Sequence, residues 1–233
     1  TKKLAQKYPW VIWLFVLGVP TLVLTYSRSS WFAFLLGFLF IGIIIKHDRR
    51  VLMGFGALVV FLTLTLAGSG LNVGLITETP GQTLSERFFE SFSLARWRGE
   101  YYGLGRVFWF IHTPLDVVAA SPIIGFGPGQ FGGGAAAALH NTKVYEELGL
   151  PFGVFGTEGA IDNNWFSLWG ESGTLGIVFY LWMYLGLFFY ALRVARTHKD
   201  PFVQALALGV CAMLIGVGFN AFTSTLLEIR TSA

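Results

Sequence analysis

Thr174-Leu175-Gly176-Ile177-Val178-Phe179-Tyr180-Leu181-Trp182-Met183-Tyr184-Leu185-Gly186-Leu187-Phe188-Phe189-Tyr190-Ala191-Leu192 runs nineteen residues without a charged side chain, and only Arg193 intervenes before Val194 and Ala195. A helix needs about 20 mostly apolar residues to cross the hydrocarbon core of a bilayer. Thr174 to Ala195 therefore reads as a membrane span, and Phe202 to Phe222, a few residues on, as the next. Toward the N-terminus three more stretches share this character: Trp10 to Tyr26, Trp31 to Ile45 and Val51 to Ala67. The Trp31 run is short and is expected to extend back through Ser29 and Ser30. Pro20 lies inside the first run, where a kink is tolerable because neighbouring helices re-satisfy the backbone. The pattern predicts an all-α, polytopic integral membrane protein with about five transmembrane helices in this chain. Residues 1–67 would hold three spans, 68–173 a large extracytoplasmic (periplasmic) loop, and 174–233 two more spans.

Composition agrees. Of 233 residues, 54% are hydrophobic and 12% charged, with a mean hydropathy of +0.62. A soluble domain carries about 25% charged residues, so a mostly wet surface is excluded. The 23 Phe and 8 Trp suit lipid-facing surfaces and interfacial belts. Cys211, the one cysteine, sits in an apolar run and can form no intrachain disulfide. The chain opens on Thr1-Lys2-Lys3 and closes on Arg230-Thr231-Ser232-Ala233, just past an apolar run. It is therefore expected to be a piece of a longer protein, truncated at both ends. The first apolar run is too long for a signal-peptide core and lacks a cleavage site after it.

Orientation follows from the short loops, because cytoplasmic loops are enriched in Lys and Arg. Lys2, Lys3 and Lys7 precede the first span, Lys46, Arg49 and Arg50 join the second to the third, and Arg193, Arg196 and Lys199 join the fourth to the fifth. These are nine of the sixteen basic residues, and all are cytoplasmic if the N-terminus is inside. Arg28, Arg87, Arg96, Arg98, Arg106, Lys143 and Arg230 then fall outside.

A loop as long as 68–173 is expected to carry structure of its own. Leu84 to Trp97 mixes polar and aromatic residues. Val107, Phe108, Phe110, Ile111, Leu115 and Val118 recur at helical spacing, with Pro114 interrupting the run, so amphipathic helices at the outer interface are expected. Gly127, Gly129 and Gly132 form a G-x-G-x-x-G string. With Pro128 inside it and no βαβ unit around it, a dinucleotide site is rejected, and a bend that lets backbone approach a ligand remains.

The candidate chemistry lies in this outer region. Arg28 stands among Thr25, Tyr26, Ser27, Ser29 and Ser30 in the turn between the first two spans. It is either a snorkelling interfacial arginine or, with its planar fork, a phosphate ligand. Arg96, Arg98 and Arg106 either contact lipid headgroups or join Arg28 in a basic cradle for a diphosphate. Asp162 opens Asp162-Asn163-Asn164-Trp165 and reads either as a helix N-cap or as a general base at the membrane edge. Asn164 and Glu171 share one helix face, and Glu171, two turns into a membrane helix, is expected to face a cavity or a partner. Gly170, Gly173 and Gly176 offer a small-residue face for close helix contact. His140, beside Asn141, is a second candidate base. None of the four His has metal-ligand spacing to another His, Cys or acidic pair.

Thr25-Tyr26-Ser27-Arg28-Ser29-Ser30-Trp31, then Arg106 with Trp109, then Pro122-Ile123-Ile124-Gly125-Phe126-Gly127-Pro128-Gly129-Gln130-Phe131, then Asp162-Asn163 with Glu171-Ser172-Gly173-Thr174-Leu175-Gly176, resemble in this order the O-antigen ligase and polysaccharide polymerase superfamily, and most closely its cyanobacterial-type members. The resemblance implies a metal-independent, cofactor-free glycosyltransferase of GT-C type in the bacterial inner membrane. It would move glycan from an undecaprenyl-diphosphate carrier to an acceptor hydroxyl on the outer face, with no nucleic-acid partner. Arg28 and Arg106 match the family arginines and would neutralise the departing diphosphate, with Arg98 nearby as a third cation. Asn163, Asn164, Glu171, Gly127 and Gly129 would support the site. Ligases of the family carry a histidine where this chain has Asp162, a departure that favours a polymerase or another branch. Asp162 or His140 would then take the proton. The resemblance implies ten or more spans in a whole protein, so this piece alone is expected to be inactive. The competing reading is a transporter of a small anion such as bicarbonate. Transporters place polar groups near the bilayer midplane on broken helices, whereas here they cluster outside. A non-catalytic scaffold is the third reading.

Overall fold

A computed structural model describes residues 10–25, 27–68, 98, 104–153 and 158–223. The Leu84–Trp97 stretch and Arg96 lie outside the described residues. Among those described, every regular element is helical: α1 (Trp10–Leu24), α2 (Arg28–Leu39), α3 (Arg49–Gly68), α4 (Arg106–His112), α5 (Gly134–Ala138), α6 (Lys143–Glu147), α7 (Asn164–Thr197) and α8 (Pro201–Thr223), with π-helical turns Phe40–Ile45 after α2 and Thr113–Val118 after α4. The described part of each of the five apolar stretches lies on a helix, the first as far as Leu24. Arg28–Ile45, Asn164–Thr197 and Pro201–Thr223 are long and apolar enough to cross a membrane, and the chain is an all-α, multi-pass membrane protein.

The chain divides into two compact units, one of Thr1–Ser91 with Gly186–Gly216, the other of Phe92–Leu185 with Val217–Ala233. In the first, α2 meets α8 through small residues. A Cβ on Gly37 would lie 3.0 Å from the Ala212 carbonyl oxygen, and one on Gly216 3.5 Å from Ala33. Ala33-x-x-x-Gly37 thus faces Ala212-x-x-x-Gly216, the spacing that lets two backbones approach inside a membrane. Ala195, Ala207 and Leu208 pack with Ile41, Ile45 and Val194. Asp48 starts α3 by accepting the Arg50 N–H at 2.9 Å. Asp200 does the same for α8 with Phe202, 2.9 Å, and Pro201 takes the first helical position, where its missing N–H costs nothing.

The second unit is built on a core of Trp109, Val117, Phe131, Val144, Tyr145 and Ile161. Pro114 does not end the helix that begins at Arg106. The turn widens to π-helical at Thr113–Val118, which relieves the clash of the proline ring with the carbonyl four residues back. Trp109, Thr113 and Val117 face inward, whereas Val107, Ile111 and Leu115 are exposed.

α7 is two helices. Gly173 has φ 64° and ψ −172°, which divides the element into 164–172 and 174–197. The Trp165 ring lies 5.7 Å from that of Tyr180 and 5.6 Å from that of Tyr184. Fifteen residues of unbroken helix would separate Trp165 from Tyr180 by about 22 Å, so 164–172 folds back alongside the start of 174–197. The Trp165 indole N–H also donates to the Gly218 carbonyl of α8, 2.9 Å.

The glycine-rich loop after α4 is bonded to both sides of this break. Phe126 N–H donates to Gly170 O at 3.0 Å and Gly127 N–H to Glu171 O at 2.8 Å, while Thr174 and Leu175 N–H donate to Pro122 O and Ile123 O at 2.9 and 3.1 Å. The expected helix-packing role of Gly170, Gly173 and Gly176 is therefore corrected. A Cβ on Gly173 would meet the Ile123 carbonyl, one on Gly170 the Phe131 ring, and one on Gly176 its own Ser172 side chain. The first two glycines receive a loop, not a helix.

Candidate functional site

Arg106 begins α4 and directs its guanidinium toward the end of α8. Its Nη2 donates to the Thr223 carbonyl at 3.0 Å and lies 3.8 Å from Asp162 Oδ2. A cation at a helix C-terminus is favoured by the carbonyl partial charges there. The contact with Asp162 is longer than the 2.7–2.9 Å typical of a charge-assisted hydrogen bond, so the two groups attract without being locked. Both reach solvent, with side chains 27% and 47% exposed.

Asp162 stands one residue before the N-cap position of α7. Asn163 takes that place: its Oδ1 accepts the Phe166 N–H at 3.1 Å, the bond an N-cap residue makes to the third helical residue. This fixes the amide orientation and turns Nδ2 inward, where it is buried without a hydrogen-bond partner. Asn164 is buried, as is Ser167, whose hydroxyl donates to Phe131 O at 3.2 Å.

Glu171 is the partner-bound carboxylate that its position predicted. Its Oε1 accepts the Gly129 N–H at 2.6 Å, and its own carbonyl accepts Gly127. Gly127 and Gly129 take φ of 98° and 74°, left-handed backbone that glycine adopts without penalty. Both glycines thus serve the docking of the loop on the broken helix.

Tyr145 was not singled out by sequence reasoning. It lies in a short polar helix with no motif around it, yet it is 1% exposed. Its hydroxyl accepts from Gly132 N–H at 2.8 Å and donates to Gly159 O at 3.0 Å, and its ring stacks on Phe131. Trp165 stood inside a quoted motif, but its clasp on Gly218 depends on the fold-back and has no sequence signal.

The remaining candidates are His140, Arg98 and Arg28. His140 is exposed with φ 49° and meets the Phe152 ring at 4.8 Å. It makes no hydrogen bond or ion pair with Arg106 or Asp162. Arg98 is exposed, and its carbonyl accepts Gly105 N–H at 3.0 Å. Arg28, half-buried at the start of α2, belongs to the first unit. The Ser27 hydroxyl beside it bonds those of Ser29 and Ser30 at 3.3 and 2.9 Å. His112 pairs with Asp116 at 2.6 Å. Among the described residues no three His, Cys, Asp or Glu side chains gather in a metal-binding cluster.

Apolar helices of membrane-crossing length, with a structured loop unit carrying an exposed Arg–Asp pair beside a helix end, define a multi-pass membrane protein with a polar site on its loop side. The chain belongs to the O-antigen ligase family, whose sequence model matches residues 13–181. That match runs from within α1 past the break at Gly173 and includes Arg28, Arg106 and Asp162. No curated protein matches the chain. Family membership indicates membrane glycosyl transfer of the O-antigen ligase or polymerase type, with glycan as substrate.

Proposed function

We propose that the chain is the glycan-transferring part of a metal-independent GT-C-type polymerase or ligase in the bacterial inner membrane, using an undecaprenyl-diphosphate-linked donor on the outer face. The observation that carries this reading is the loose Arg106–Asp162 pair, half-exposed where α4 meets the end of α8. The acceptor hydroxyl oxygen attacks the anomeric carbon of the donor sugar. The bond from that carbon to the carrier phosphate oxygen breaks, and its electron pair stays on the diphosphate. The hydroxyl proton passes to the Asp162 carboxylate. Negative charge grows on the leaving diphosphate, so a guanidinium beside it lowers the barrier. Arg106 is suited to this because diphosphate competes with Asp162 for the guanidinium, and as it binds it releases the carboxylate to act as base. The arrangement of Lys and Arg in the short loops supports the outward orientation. Arg28 keeps the diphosphate-binding role its motif implies.

The test is complementation of a deletion strain with the full-length gene, with surface and exported glycans profiled at matched expression. Asp162→Asn is isosteric and half-exposed, and is expected to fold normally and slow transfer by roughly the 10²–10⁴-fold a general base contributes. Arg106→Ala is expected to accumulate lipid-linked repeat units. Wild-type glycan from Asp162→Asn would remove the base role. An unchanged profile in the deletion strain itself would overturn glycan transfer and direct attention to uptake of small anions.

A further inference from the structure

We infer that the loop tip Pro122-Ile123-Ile124 is immersed among the acyl chains of the bilayer, beside the first turn of the span that begins at residue 174. The first N–H groups of a helix lack intrahelical acceptors, and the break at Gly173 creates such a start at the top of a membrane helix. The Pro122 and Ile123 carbonyls accept the Thr174 and Leu175 N–H groups at 2.9 and 3.1 Å. Where water is scarce that service is needed most, because unsatisfied backbone is costly in hydrocarbon. The bonds also set the height of the tip level with the top of the span.

At that height its side chains face outward. Ile123 is 67% and Ile124 71% exposed, beside a span whose Leu175 and Phe179 are 51% and 58% exposed. An exposed apolar surface on a membrane helix is its lipid face, and the tip continues it. No Asp, Glu, Lys or Arg occurs between Asp116 and Lys143, so the segment carries no ionised carboxylate, ammonium or guanidinium into the lipid. The helix leading into it exposes Val107, Ile111 and Leu115. The occupant is bilayer lipid rather than a second copy of the chain, because the uncharged patch continues the exposed apolar face of a helix long and apolar enough to cross a membrane. This inference rests on the membrane span and not on the proposed transfer reaction.

Cys211, the one cysteine in this chain, is 0% exposed, and a full-length background with any cysteine outside this chain replaced by serine provides the unlabelled control. Spin label is placed on Ile123→Cys and Ile124→Cys in full-length protein reconstituted in liposomes. Phe179→Cys is the lipid reference and Lys143→Cys the aqueous one. Collision rates with oxygen, which concentrates in lipid, and with a water-soluble nickel chelate are then compared. The tip labels are expected to favour oxygen severalfold, as Phe179→Cys does. Chelate-dominated relaxation like that of Lys143→Cys would overturn the inference. Low rates with both would also overturn it, by showing a face covered by protein.

Discussion

Replacing Gly173 by Ala should be among the most damaging single-methyl additions in this chain, while the same change at Gly186 in the same helix should be harmless. At Gly173 the backbone has φ 64° and ψ −172°, a region that residues with a Cβ occupy only at a cost of about 1–3 kcal/mol. The added Cβ would also lie 2.3 Å from the Ile123 carbonyl oxygen and 2.5 Å from Gly125 N. These are backbone atoms, so no side chain can swing away and the loop must lift. Lifting it sacrifices the four backbone bonds of Phe126, Gly127, Thr174 and Leu175. At about 1 kcal/mol net apiece, with the strain added, the penalty is on the order of 5 kcal/mol. Gly186 has nothing within 4 Å of its Cβ position, and a helical Gly→Ala exchange gains up to about 1 kcal/mol.

The assay is the fraction of monodisperse protein surviving a temperature series in detergent, read by size-exclusion chromatography. Gly173→Ala is expected to lose many degrees and Gly186→Ala none. A Gly125→Ala variant should resemble Gly173→Ala, since its Cβ would lie 2.5 Å from Glu171 O. The double variant should cost far less than the sum, because either change alone displaces the same loop. Gly173→Ala melting together with wild type would refute the docked loop and the broken helix alike.

Two further outcomes follow from the same geometry. Asn163→Ala removes the cap of 164–172 and should destabilise by about 1 kcal/mol, whereas Asn163→Ser, another good cap, should recover most of it in the same thermal assay; equal loss from both would show that the cap is not what Asn163 contributes. Tyr145→Phe keeps the ring packing but strands Gly132 N–H and Gly159 O, so a loss of about 1–3 kcal/mol is expected, and a variant as stable as wild type would mean that water replaces the hydroxyl.

The three helices long and apolar enough to cross a membrane were legible because length and lack of charge are properties of the chain itself. Trp31 to Ile45, with its expected extension through Ser29 and Ser30, lies on a helix that starts at Arg28. What escaped reading depends on folding back. The Gly170, Gly173 and Gly176 spacing is the same whether a helix or a loop lies against it, and only a positive φ at Gly173 makes the loop the answer. Pro114 interrupts the apolar run in the sequence, and the π turn at Thr113–Val118 carries the helix past it. Asp162 and Asn163 are neighbours of nearly equal capping preference, so the chain alone could not say which one caps.

That last distinction bears on which acidic group the proposed transfer would use. Asp162 precedes the 164–172 helix and Glu171 lies in its last turn, and a carboxylate at a membrane edge must be compensated. Glu171 receives a 2.6 Å N–H from Gly129 and holds the loop. Protonating or removing it would loosen the docking of the whole glycine-rich segment. Asp162, relieved of capping by Asn163, keeps nearly half its side chain in solvent and has its cation at 3.8 Å. A base must reach its substrate and change protonation without dismantling its own support. Glu171 fails the second condition, which is why the proposed transfer assigns the base to Asp162.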